Sequence, residues 1–150
     1  MRTNRSAPTA TIVPILVYAD VEAAITWLRG LGFTERLRAP GPDGRVTHAQ
    51  LNFGDGSVMI GRQGGPFRVP AKDSVSQLVN VTVEDLDKHY AREKAVGAQI
   101  LREPATMPFG ERQYTVADPE GHWWTFSQHV ADLAPEDWGA RGVGGVPHAG

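Results

Sequence analysis

The chain has 150 residues, 41% apolar and 21% charged, with a formal net charge of −2 and no cysteine. That length and apolar fraction suit one folded domain with a real core and argue against disorder. The charge leaves no basic footprint for nucleic acid or a membrane surface, and the missing thiols exclude thiolate catalysis, thiolate metal sites and disulfides.

Residues 1–10 are small and polar and are expected to be a flexible N-terminus; two arginines and no apolar stretch make them unlike a signal peptide. Val13 to Tyr18 is an apolar run that reads as a strand. Asp20 is suited to cap a helix to about Leu31, with Val21, Ala24, Ile25, Leu28 and Leu31 on one face and Gly32 as its stop. Strand patterns follow at Thr34–Arg38, Arg45–Phe53 and Ser57–Arg62, separated by glycine-rich turns. Residues 63–74 carry two glycines and two prolines and read as a linker. The order then recurs. Val79 to Val83 alternates as a strand, Asp85 opens a helix to about Val96, and Leu86, Tyr90 and Val96 supply its apolar positions. Strands follow at Gln99–Glu103, Arg112–Ala117 and His122–His129, then a short helix near Pro135 to Trp138 and a glycine-rich tail expected to be mobile.

The recurrence is an internal repeat. Asp20 and Asp85, Gly32 and Gly97, and Gly56 and Gly121 are each 65 residues apart. The expected class is α+β: two β-α-β-β-β modules, residues 11–62 and 75–130, within a domain spanning 11–130, followed by a short helix and flexible tail over 131–150.

This duplicated pattern, with the turn Asp118-Pro119-Glu120-Gly121-His122-Trp123-Trp124, resembles the vicinal-oxygen-chelate (glyoxalase/bleomycin resistance protein/dioxygenase) superfamily. Histidine after the turn glycine, Ser127-Gln128-His129-Val130 and the acidic, proline-containing tail are similar to its phosphonate-operon-type branch. The resemblance implies a cup-shaped half-barrel sheet with a small-molecule ligand inside, and commonly a homodimer. It also implies where a metal would be held: seven residues before each acidic helix cap and four after each turn glycine. These positions are Val13, Leu78, Ile60 and Thr125, and their side chains are poor ligands for a divalent cation. The expectation is therefore no metal and no cofactor, against a metal-dependent glyoxalase or dioxygenase.

Strand alternation extends the set facing the cup. Val13, Ile15 and Val17 share one face, Leu78, Asn80 and Thr82 another, and Trp123, Thr125 and Ser127 a third. His48, Gln50 and Asn52 are placed inward; the repeat matches Gln113 and Thr115 to His48 and Gln50; Arg62 is placed at the rim. The candidate ligand-binding residues are thus His48, Gln50, Asn52, Arg62, Asn80, Thr82, Gln113, Trp123 and Thr125. Trp124 reads as core. Arg112 and Tyr114 have the parity of the outer face, although the loop before them could shift this. Mostly apolar linings with a few polar groups suit small molecules. Two functions follow. One is a metal-independent, cytoplasmic, homodimeric binder, as in antibiotic or metabolite sequestration, with no nucleic-acid or membrane partner. The other is an enzyme: a metal-independent lyase or isomerase with His48 as acid/base, or a metalloenzyme using non-family ligands among His48, His122 and His129.

Overall fold

A computed structural model describes residues 2–144; the end of the expected C-terminal tail lies outside the described residues. The chain divides after Ala71 into two units. The first runs β1 (Ile15–Tyr18), α1 (Val21–Leu31), β2 (Thr34–Pro40), β3 (Val46–Phe53) and β4 (Gly56–Arg62). The second runs β5 (Leu78–Thr82), α2 (Leu86–Ala95), β6 (Gln99–Thr106), β7 (Glu111–Ala117) and β8 (Trp123–His129), then a short 3-10 turn at Pro135–Trp138. Both are the β-α-β-β-β unit expected from the repeat.

Each unit forms an open four-stranded sheet, ordered β1-β4-β3-β2 and β5-β8-β7-β6. The first and last strands of each unit pair in parallel, and the other pairs are antiparallel. Parallel pairing needs a crossover, which the helix supplies. The edge strands β2 and β6 run past their expected ends, because Pro40 and Pro104 lie where a missing N–H costs no central ladder bond.

Both helices start as their sequences direct. Asp20 Oδ1 accepts from the Ala23 amide and Asp85 Oδ1 from the Lys88 amide, at 3.0 and 3.1 Å. Gly32 ends α1 with φ 114°, a left-handed conformation that favours glycine. Helix α1 buries the five apolar residues its spacing selects.

Helix α2 departs from its apolar pattern. Its buried residues are Leu86, His89 and Glu93, while Val96 is 74% exposed. His89 packs against Phe126 with the rings tilted by 36° and their centroids 4.3 Å apart, and its Nδ1 is 2.5 Å from the Tyr114 hydroxyl. A hydrogen-bonded histidine and a buried carboxyl thus take core positions that periodicity reserves for apolar side chains. Tyr114 lies on the helix side, as its parity indicated, and Arg112 reaches Asp87 on α2 at 3.0 Å.

The turn Asp118–His122 is built around one carboxylate. Asp118 is 2% exposed. Its Oδ1 accepts from the Glu120 and His122 amides, both at 3.0 Å, and its Oδ2 from the Trp124 indole N–H at 3.2 Å. Gly121 takes φ 98° within it. The acid therefore ties the turn to the fully buried Trp124, which is core as expected.

Candidate functional site

In each unit the helix covers one face of the sheet, and the opposite face carries most of the candidate residues. Paired residues on neighbouring strands share a face. In the first unit, Leu16 pairs with Ile60 and Ile60 with Ala49, and all three are buried with α1. Ile15 pairs with Met59 and Met59 with Gln50, which places these on the other face with His48 and Asn52.

This corrects the alignment of the two modules at the last strand. Asn52 pairs with Ser57, whereas its repeat counterpart Ala117 pairs with Trp123, so Ser57 and Trp123 correspond at an offset of 66. The second module's turn is one residue longer, because it holds the carboxylate-centred Asp118 turn. Thr125 therefore matches Met59. Ile60, fully buried, belongs to the helix side and not to the inward-facing set.

Arg62 is also displaced from the set. It pairs with Tyr18, which gives it helix-side parity, and its guanidinium reaches Asp43 in the β2–β3 turn at 2.9 Å. That contact holds the Asp43 carboxyl below the usual carboxylate range, helped by the Arg45 amide.

The remaining candidates of the first unit form a polar row on β3. The Gln50 carbonyl accepts from Arg36 at 2.7 Å, and its amide nitrogen lies 3.3 Å from His48 Nε2. A guanidinium only donates, so Arg36 fixes which way the Gln50 amide points. The amide nitrogen then donates to His48, which accepts through Nε2 as the Nδ1–H tautomer. Asn52 accepts from the Ser57 hydroxyl at 2.7 Å. Arg36 escaped the sequence reading. It sits at the irregularity between Glu35 and Leu37, where plain alternation fails.

The second unit carries a continuous chain across three strands. The Gln113 amide donates to the Ser127 hydroxyl at 2.9 Å, and Ser127 donates to the Asn80 carbonyl at 2.5 Å. Thr115 and Thr125 share a hydrogen bond of 2.8 Å beside it. Leu78 pairs with Trp123 and Thr82 with Ser127, which places Thr82 and Trp123 on the same face. Ser127 is fully buried and is the hinge of this chain. Its parity marked it for this face, but only the pairing shows that it joins two candidates.

Both rows set hydrogen-bonding groups beside apolar surface. Ile15, next to the buried Leu16, is 63% exposed, and Leu78, next to the half-buried Val79, is 49% exposed. Exposed aliphatics next to oriented amides and hydroxyls can hold an amphipathic molecule without covalent chemistry. The third histidine-bearing region is different: His129 Nδ1 pairs with Glu111 at 2.7 Å on exposed strand ends.

A family model described as the glyoxalase/bleomycin resistance protein/dioxygenase superfamily matches residues 10–126. An uncharacterised protein of Mycobacterium bovis is 31% identical over 127 residues, covering 80% of this chain and 84% of that protein. The crystal structure of TioX from Micromonospora sp. ML1 aligns with a TM-score of 0.67 and 40% identity, over 80% of this chain and 98% of that one. A bleomycin-binding protein complexed with bleomycin aligns with a TM-score of 0.61 over 80% of this chain and 98% of that one, at 21% identity, a likeness of fold.

Proposed function

The chain belongs to the glyoxalase/bleomycin resistance protein/dioxygenase superfamily, and from that premise we propose that it is a metal-independent small-molecule-binding protein that sequesters an amphipathic ligand on the helix-free faces of its sheets. The observation that carries the reading is the make-up of those faces. Amides and hydroxyls are held in fixed hydrogen-bonded rows beside exposed Ile15 and Leu78. The bleomycin-binding neighbour supports small-molecule binding as a use of this fold.

The positions that hold a metal in the superfamily's metal enzymes do not fit one here. With the register corrected, they are Val13, Met59, Leu78 and Thr125, which offer one thioether and one hydroxyl. Hard and borderline divalent ions need imidazole or carboxylate donors. Among the described residues no three His, Asp or Glu side chains gather into a candidate metal group. A homodimer in the cytoplasm, and kinship with the phosphonate-operon-type branch, complete the proposal. No described helix is long and apolar enough to cross a membrane.

Thermal-shift and calorimetric screening of the purified chain against planar drugs and metabolites tests the reading, with elemental analysis of the same sample. A micromolar ligand with no stoichiometric metal is expected. One tightly held ion per chain, or a ligand bound only when metal is added, would overturn it.

A further inference from the structure

The polar row on β3 is occupied by the chain's own N-terminal segment. Arg36 Nη2 donates to the Arg5 carbonyl at 2.6 Å, and the Gln50 amide donates to the Ser6 carbonyl at 3.0 Å. Two consecutive main-chain carbonyls are therefore gripped by two side chains that point away from α1. Gln50 is 3% exposed, so its donor is a buried group aimed at this segment. The segment is braced by its own turn. The Asn4 side chain accepts from the Ser6 amide at 3.0 Å, and the Asn4 carbonyl from the Ala7 amide at 3.2 Å, which closes a turn with the Arg5 and Ser6 carbonyls available.

The grip depends on Gln50 being oriented. Arg36 takes its carbonyl oxygen, His48 Nε2 takes one amide hydrogen, and the second hydrogen is left for Ser6. The recognised feature is backbone, because neither contact touches the Arg5 or Ser6 side chain. We propose that Arg36 and Gln50 form a subsite for peptide-type carbonyl oxygens spaced one residue apart, and that Arg5–Ser6 fills it as a tethered stand-in for the ligand. The ligand class is then an amide-bearing, peptide-like compound, which must displace the segment to bind. This rests on the reading of the helix-free face as the ligand face. A tether of a few residues gives an effective concentration in the millimolar range, so a free competitor must match that.

Trypsin reads the seating directly, since it cuts after Arg5 only when the segment leaves the sheet. In the full chain, Arg36→Met and Gln50→Leu should each speed that cut about fivefold, the equivalent of one net hydrogen bond. Gln50→Glu keeps a partner for Arg36 but loses the donor to Ser6, and should speed it as well. Far-ultraviolet circular dichroism checks that each variant is folded. An acetylated, amidated peptide of residues 3–8 with alanine in place of Arg5 cannot be cut by trypsin. At about 10 mM it should speed the Arg5 cut in the native chain and have no effect in Arg36→Met. Native cutting rates in all three folded variants would overturn the seating. Faster cutting in the variants with no effect of the peptide would overturn the subsite. Neither readout uses a screened small molecule, so failure here is separable from failure of the binding function.

Discussion

Replacing Asp118 tests whether one carboxylate organises the turn that fixes β8. Three donors converge on it: the amides of Glu120 and His122, and the indole N–H of Trp124, whose side chain is fully buried. Asp118→Ala removes all three of these bonds and lengthens none. Losing the acceptor for a buried donor costs about 1–3 kcal/mol, and the two turn amides add about 1 kcal/mol each after partial rehydration. The expected loss is about 3–5 kcal/mol, a fall in Tm of roughly 6–20 °C for a domain of this size. Asp118→Asn retains an acceptor for the two amides but sets an NH2 group against the indole, and should lose about 1.5–3 kcal/mol. Urea unfolding followed by tryptophan fluorescence measures both. A double-mutant cycle with Trp124→Phe isolates the indole contact, with an expected coupling of about 1 kcal/mol. If Asp118→Ala cost less than about 1 kcal/mol, or the cycle showed no coupling, the carboxylate-centred account of the turn would be wrong.

Other consequences follow from the helix side and the open faces. Burial pushes the Glu93 carboxyl above its ordinary value, partly offset by Arg92. A raised folded-state value means that the buried charge costs stability at neutral pH, and that this cost fades as the pH falls through the folded value toward the unfolded one. Glu93→Gln should therefore raise stability at pH 7 and flatten its dependence on mildly acidic pH; a less stable variant at pH 7 contradicts this. Tyr114, whose hydroxyl burial pushes far up its titration range with Glu93 contributing, stays protonated beside His89. Tyr114→Phe should cost about 1–3 kcal/mol in chemical denaturation, and an unchanged midpoint would count against that contact. Gly110 takes φ 86°, and a Cβ there would clash with the Ala131 carbonyl oxygen. Gly110→Ala should cost at least about 2 kcal/mol and speed amide exchange at Val130 and Ala131, both of which donate to the Gly110 carbonyl; native exchange there would refute the clash.

Much of this fold was legible because its signals are local. Aspartate caps, left-handed glycines and apolar spacing mark α1 without reference to anything distant. The duplicated unit follows from repeating those signals. Four features were out of reach for the same physical reason, that they depend on strand pairing and on partners far along the chain. Ile60 was assigned to the wrong face because glycines aligned at a fixed offset, while the longer Asp118 turn shifts the pairing by one residue. The buried face of α2 was misjudged because His89 and Glu93 look like surface residues until Tyr114 and Phe126 meet His89. Arg36 was missed because a strand irregularity breaks alternation, and Arg62 was misplaced because pairing with Tyr18 sets its parity. Strand period put Gln50 and Asn80 on the helix-free face, the repeat put Gln113 there, and the count from Gly121 put Thr125 there. Their linkage into rows needed the register, which decides that Ser127 stands between Gln113 and Asn80.

The central claim is that the helix-free faces bind a small molecule without metal. Its most direct test is a nuclear magnetic resonance titration of the isotope-labelled chain, kept in a chelator, with a planar amphipathic hit from the screen. The account predicts shifts concentrated at the side-chain amides of Gln50, Asn80 and Gln113 and at the Trp123 indole, with the His89–Tyr114 region unmoved. Shifts centred on the helix side, or shifts that appear only when a divalent metal replaces the chelator, would contradict it.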